Sequence, residues 1–261
     1  MSDRQEMPRR DRVLVDVTIA APADLLWDAI RDPAAIKNWF GWDSETLGEE
    51  IRYIFVDHAR ADADHRIIHF EGTDDRIEIV ADGARSRLRI IRAVAAGDSW
   101  DGIYEDMTEG WISFAQQLRF GIERHALADR RTIRLSGAAR NGAKLPIEAL
   151  GLAPLRSLSP GTPLVIPGPA TMGARGPQGT EGIAWHRGAW QVGLAVPAWG
   201  DGLLIVTDRP AQGETTGGGS ATLTTYGLDA DRFEALETRW RQWWQEHFAA
   251  PPTDPESCER A

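Results

Sequence analysis

From Val13 to Ala20 apolar and polar residues alternate, Val13, Val15, Val17 and Ile19 on one face and Asp16 and Thr18 on the other, which predicts a half-buried strand. Beyond Ala21-Pro22 the period changes. Ala23, Leu26, Trp27 and Ile30 recur at three- and four-residue intervals, predicting a short helix with Pro22 at its first position and Asp24 at its positive end. Asp32-Pro33 opens a second short helix carrying Ile36, Trp39 and Phe40, and Gly41 stops it. From Glu50 to Val94 period two returns in Ile51, Tyr53 and Phe55, then Ile68 and Phe70, Ile77 and Ile79, and Leu88 and Ile90, with Asp82-Gly83 at a tight turn. This pattern predicts an antiparallel meander. Met107, Trp111, Phe114, Leu118 and Ile122, spaced by 4, 3, 4 and 4, then mark one long amphipathic helix ending near His125.

The second half repeats that order loosely. A strand is expected at Arg131 to Leu135, low regular structure across the Gly- and Pro-rich stretch Asn141 to Gln178, and strands at Ile183–Trp185, Trp190–Val196, Leu203–Thr207 and Ala221–Tyr226. A helix starting at Asp229 carries Phe233, Leu236, Trp240, Trp243, Trp244 and Phe248, a band broad enough to touch the other half or a partner chain as well. The tail from Ala249 is expected to be disordered. Strand, connection, antiparallel strands and terminal helix in both halves suggest a degenerate duplication, the second copy having a Gly/Pro-rich segment in place of the two short helices. The divisions are a polar segment 1–12, a first lobe 13–128, a second lobe 129–248 and a tail 249–261.

Composition narrows the classes. With 261 residues, 42% hydrophobic and 26% charged, the chain can bury a core and is neither disordered throughout nor fibrous. The polar, mixed-charge start and the lack of a long apolar run give no signal peptide or membrane span, so a cytoplasmic location is expected. A net charge of -10 argues against a general grip on nucleic acid or anionic lipid. The single cysteine, Cys258, excludes an intrachain disulfide and a cysteine-based zinc cluster. Lysine occurs only at positions 37 and 144, and 11 tryptophans supply large apolar surfaces with one donor each.

Two stretches carry a family likeness: VDVTIAAPADLLWDAIRDPAAIKNWF and YEDMTEGWISFAQQLRFGIERH. Through Pro22, Trp27, Asp32, Pro33, Trp39 and Phe40, then Glu109, Gly110 and Trp111, residues 10 to 126 resemble the START-like, or SRPBCC, helix-grip superfamily, and within it the branch similar to the activator of heat-shock-protein ATPase. The resemblance implies an α+β helix-grip fold, an antiparallel sheet wrapped around a long C-terminal helix with an apolar cavity between them, and the repeated element order extends it to two tandem START-like lobes. It implies a fold more firmly than an activity, because the superfamily includes lipid carriers, hormone receptors, cyclases, dehydratases and chaperone partners.

The cavity is expected to be edged by Trp39, Phe40, Tyr53, Phe55, Phe70, Trp111, Phe114 and Leu118, although aromatic stripes at such spacing commonly form plain core. Tyr53 brings a hydroxyl that could orient a ligand. Asp57, His58, Asp62, Asp64 and His65 match no closed metal site and read as a solvated acidic hairpin loop; no metal or cofactor is expected. Glu105, Asp106 and Glu109 suit the positive end of the long helix, with Glu109 a candidate proton-transfer group beside an apolar pocket. Gly173 to Gly179 and Gly213 to Gly219 lack a phosphate-binding context and read as loops. Trp185, His186, Trp190 and Trp199 could edge a second cavity or simply pack. The expected function is binding of an apolar small-molecule ligand. The alternatives are a chaperone-associated interaction protein with a protein partner, and a cyclase- or dehydratase-like enzyme.

Overall fold

The first strand, β1 (Arg9–Ile19), starts earlier than the alternation predicts, inside the stretch taken as a polar segment. The fold is given by a computed structural model describing residues 9–95, 103–140, 144–166, 180–212 and 216–250. A bulge between Val13 and Val15 shifts the register of β1, turning Leu14 inward and leaving Val13 45% exposed, so the inward face begins at Leu14 and Val15 instead of Val13.

The chain divides into two compact units, Met1–Asp129 and Arg130–Ala261. In the first, β1 leads to α1 (Ala23–Ala29), α2 (Pro33–Ile36) and α3 (Leu47–Arg52). Asp32 caps α2 by accepting the Ala34 N–H at 2.9 Å. The predicted strand at Ile51–Phe55 is absent: α3 runs into a π-helical turn, Tyr53–Asp57. Ile51 and Phe55 are buried at a separation of four, so the same residues satisfy a helical face, and the residue between them, Tyr53, points outward.

The meander comprises β2 (Ala59–Asp62), β3 (Ile67–Phe70), β4 (Asp75–Asp82) and β5 (Arg85–Ala95), with β5 closing on β1 to give the antiparallel order β1-β5-β4-β3-β2. Strand β2 lies inside the acidic stretch read as a loop, pairing Ala59 with Phe70 and Asp62 with Ile67. Helix α4 (Asp106–His125) then packs against the sheet, with Trp111, Ala115 and Leu118 in one core with Ile68, Ile77 and Ile90.

The second unit has the same plan. Strand β6 (Arg131–Ala139) precedes α5 (Pro146–Ala149) and a 3-10 turn, Ala153–Arg156, so the Gly/Pro-rich stretch retains a short helical connection. It also holds an unpredicted strand, β7 (Pro163–Ile166); Gly173 to Gly179 lie outside the described residues. Strands β8 (Thr180–Arg187), β9 (Gln191–Val196), β10 (Gly202–Arg209) and β11 (Gly218–Thr225) complete a meander whose last strand closes on β6. Helix α6 (Ala230–His247) is capped by Asp229, which accepts the Arg232 N–H at 2.8 Å. The chain then forms β12 (Phe248–Ala249), paired with Ala138 and Ala139, so Phe248, expected on the helix, and Ala249, expected to begin a disordered tail, both lie in a strand; residues 251–261 lie outside the described residues. The sheet order is β12-β6-β11-β10-β9-β8-β7.

Both units are therefore α+β helix-grip lobes in tandem, each an antiparallel sheet closed on its own first strand and packed on its terminal helix. Among the described residues no helix is long and apolar enough to cross a membrane.

Candidate functional site

Most of the expected cavity residues meet in the first unit. Trp39 lies 5.7 Å from Phe55 ring to ring, Phe40 5.0 Å from Phe55 and 4.6 Å from Phe114, and Phe70 5.5 Å from both Phe55 and Trp111. Leu118 is buried in the same core. Most of these contacts are edge-on or tilted, the arrangement aromatic quadrupoles favour. Tyr53 does not join them. It is 59% exposed and its ring lies 4.0 Å from that of His58, so its hydroxyl is not part of the interior cluster.

Trp111 links this apolar cluster to a polar one. Its Nε1 donates to Asp75 Oδ2 at 3.0 Å, and Arg92 donates to both Asp75 oxygens, from Nε at 2.6 Å and Nη2 at 2.9 Å. The hydrogen bonds that Arg92 donates to Asp75 hold its guanidinium above its ordinary pKa, against the opposing effect of burial. Glu105 accepts from Thr108 at 2.9 Å and pairs with Arg12 at 2.5 Å, while Glu109 is buried one turn into α4. The Asp75–Arg92 pair gave no signal in the sequence, since its members lie 17 positions apart on neighbouring strands.

A separate concavity of about 390 Å³, lined by none of these aromatic residues, opens on this unit. Pro22, Leu25 and Ala29 of the α1 region form one wall, Ala35 of α2 another, and Ile122 and Leu127 at the end of α4 a third. Asp28 and Asp32 stand among these residues. Side chains elsewhere in the unit fix the backbone of this lining at four points. Ser86 Oγ donates to the Ala21 carbonyl at 2.6 Å, and Trp39 Nε1 to the Ala29 carbonyl at 3.0 Å. Asn38 Nδ2 donates to the Leu127 carbonyl at 3.0 Å, and the Ala20 N–H to Glu123 Oε1 at 2.9 Å. The aromatic cluster thus backs the groove through Trp39. Sequence reasoning missed the groove because alanines carry no periodic signal; its one visible trace is Leu25, a leucine off the inward stripe of α1 and 49% exposed.

Of the candidates in the second unit, Trp199 lies in the core, Trp185 and His186 are buried, and Trp190 is half-buried. Trp199 and Trp240 pack edge-on at 5.9 Å, and Trp244 stacks on Phe248 at 4.4 Å. Trp185 and His186 are both buried because a bulge between Ala184 and His186 breaks the alternation, and His186 Nε2 lies 3.1 Å from Gln191 Oε1. Asp208 accepts the Ile147 N–H at 2.9 Å and pairs with Arg156 at 2.8 Å, yet burial pushes its carboxyl above the usual range. Burial also pushes the Tyr226 phenol up to about 12. Two further concavities, of about 250 Å³ beside Trp244 and about 410 Å³ along β7 and β8, open on this unit.

No known family and no curated protein matches this chain. Among solved structures, the chain is similar to the di-domain ARO/CYC BexL from the BE-7585A biosynthetic pathway at 15% identity, over 94% of this chain and 100% of that one, with a TM-score of 0.33. It is similar to DynU16, a putative protein in the dynemicin biosynthetic locus, at 16% identity over 91% and 96% of the two chains, with a TM-score of 0.29. CalU16 from Micromonospora echinospora matches at 16% identity over 48% of this chain and 79% of its own, also with a TM-score of 0.29. At these identities and TM-scores no residue role, substrate or reaction passes from those proteins to this chain.

Proposed function

We propose that the protein binds an apolar small molecule through its first lobe, residues 13–128, in the groove between α1, α2 and the end of α4. The observation that carries this reading is a concavity of about 390 Å³ whose lining is fixed by hydrogen bonds from Ser86, Trp39, Asn38 and to Glu123. Its size falls within the range of about 300–1,000 Å³ common to small-molecule sites. A lining already held in place spares the ligand the cost of ordering it. In this reading Trp39, Phe40, Phe55, Phe70, Trp111, Phe114 and Leu118 act behind the site, holding α2 and α4 on the sheet, and do not touch the ligand.

Binding of decanol to the full chain, followed by calorimetry and native mass spectrometry, tests the proposal. Leu25→Asp and Ala35→Trp respectively charge and fill the groove at positions exposed enough to keep the fold, which circular dichroism checks. Both are expected to weaken binding by about tenfold or more. Decanol binding that neither variant changes, or none by the native chain, would remove this reading.

The protein-partner reading, closer to the branch similar to the heat-shock-protein ATPase activator, draws on Tyr53 and Val56, exposed on the π-helical turn. Tyr53→Ser with Val56→Ser would abolish capture of such a partner and leave decanol binding intact.

A further inference from the structure

The geometry points to an amphiphilic amine as the occupant of this groove: an apolar chain ending in an ammonium group, seated with its charge at Asp28 and Asp32. This rests on the groove being the binding site, and adds to it the class of ligand.

Charge complementarity carries the inference. The two carboxylates are the ionisable groups of the lining, and among the described residues neither has an ion-pair partner. The Asp32 carboxylate gives one oxygen to the Ala34 N–H and retains acceptor capacity on the other. Nearby cations are otherwise engaged. The Arg31 guanidinium sits 4.9 Å from the Trp27 ring centre, Arg66 pairs with Asp24 at 2.6 Å and Lys37 with Asp129 at 3.8 Å. The end of α4 also lines the groove through Ile122, Ala126 and Leu127, and its last turn carries Arg124 and His125, which offset the partial negative charge of the helix carbonyls there. There Ala126 and Leu127 adopt left-handed φ values of 48° and 59°, a conformation costly for side chains other than glycine, and both line the groove. An alkyl chain fits Leu25, Ile122 and Leu127, a primary ammonium offers three donors to the carboxylates, and an anionic head would meet repulsion from both.

Three probes of equal chain length separate the contributions: decylamine, decanol and decanoate, each titrated into the full chain below its aggregation threshold. Decylamine is expected to bind about tenfold more tightly than decanol at low salt, with decanoate weakest, and the preference to shrink as salt is raised. In Asp28→Asn/Asp32→Asn, where asparagine keeps the cap on α2, the affinity ratio of decylamine to decanol should fall toward one. Equal binding of all three probes, or an amine preference that the double variant leaves untouched, overturns the ammonium assignment while leaving the apolar groove standing. Absence of decanol binding by the native chain removes both, because the amine class rests on the apolar groove.

Discussion

The two lobes share a chain plan and differ in what each face of the sheet does. In the first, β4 and β5 largely alternate between buried and solvated positions, and the outer face carries ion pairs: Arg87 donates to both Asp16 oxygens at 2.5 and 2.6 Å, and Arg76 to both Asp11 oxygens at 2.9 and 2.6 Å. In the second, β9 is buried at all six positions and β10 at its first seven, and the residues there are small, apolar or Thr and Gln apart from Asp208, the one buried charge among them. One plan thus tolerates two ways of finishing a sheet. The first lobe uses charge on a wet face, and the second uses close packing that leaves little room for a side chain.

Glycines test that contrast most severely. Gly200 has φ 69°, and a Cβ there would overlap the Tyr226 carbonyl, whereas Gly83, at φ 61° in the β4–β5 turn, has nothing within 4 Å. Gly200→Val should cost more than about 4 kcal/mol, combining strain with overpacking, and Gly83→Ala only about 1 kcal/mol. Urea denaturation of the two variants measures the difference; equal costs would dissolve the distinction.

The buried carboxylates come next. Asp75→Ala strands the Trp111 donor and leaves the Arg92 guanidinium only its longer pairing with Glu105 at 3.5 Å, and should cost about 3–5 kcal/mol. Asp208→Ala strands one backbone N–H while releasing a half-exposed Arg156, for about 1–3 kcal/mol. Thermal unfolding of both would sharpen the ranking, or reverse it.

Substituting one tryptophan in each lobe probes a smaller effect. Trp39→Phe removes a made hydrogen bond to the Ala29 carbonyl, but Trp240→Phe removes an indole N–H that is buried with no partner among the described residues. For similar lost volume, the first should be the more destabilising by about 1 kcal/mol, and it alone should weaken decanol binding.

The smallest expected difference is in pH dependence. Hydrogen bonds from Arg87 hold the Asp16 carboxyl below its ordinary value of 3.8, so the stability it contributes is present above 3.8 and lost as pH falls through the lowered folded value. Asp208, raised by burial, runs the other way: its contribution is greatest below 3.8 and falls as pH rises through the raised folded value. Denaturant midpoints between pH 3 and 6 should lose part of their acid decline in Asp16→Asn and part of the opposing slope in Asp208→Asn.

Much of this fold was legible because burial imposes a period. The stripes ending in Ile122 and Phe248 located both terminal helices, although Phe248 itself falls just past the second, in β12, and alternation located β4, β5 and β8 to β11 near their positions. It failed where one residue shifts the phase, as at the bulges beside Val13 and Trp185, or where two periods fit the same residues. Ile51 and Phe55 fit either strand or helix, and that ambiguity sent Tyr53 to the wrong side. The candidate site was less legible. Six of its expected rings do converge, but the groove depends on alanines and on backbone groups held from afar, and neither leaves a pattern along the chain.

The two-residue pairing of Phe248 and Ala249 with β6 gives the second lobe a latch. Having crossed its sheet, α6 is fastened at its start by Asp229 and at its finish by the opening strand of the same lobe, so sequence neighbours of the first and last elements share one ladder. The rod cannot peel away without unzipping that ladder, and the flank of β6 that would otherwise invite a foreign strand is partly occupied by the protein's own closing residues.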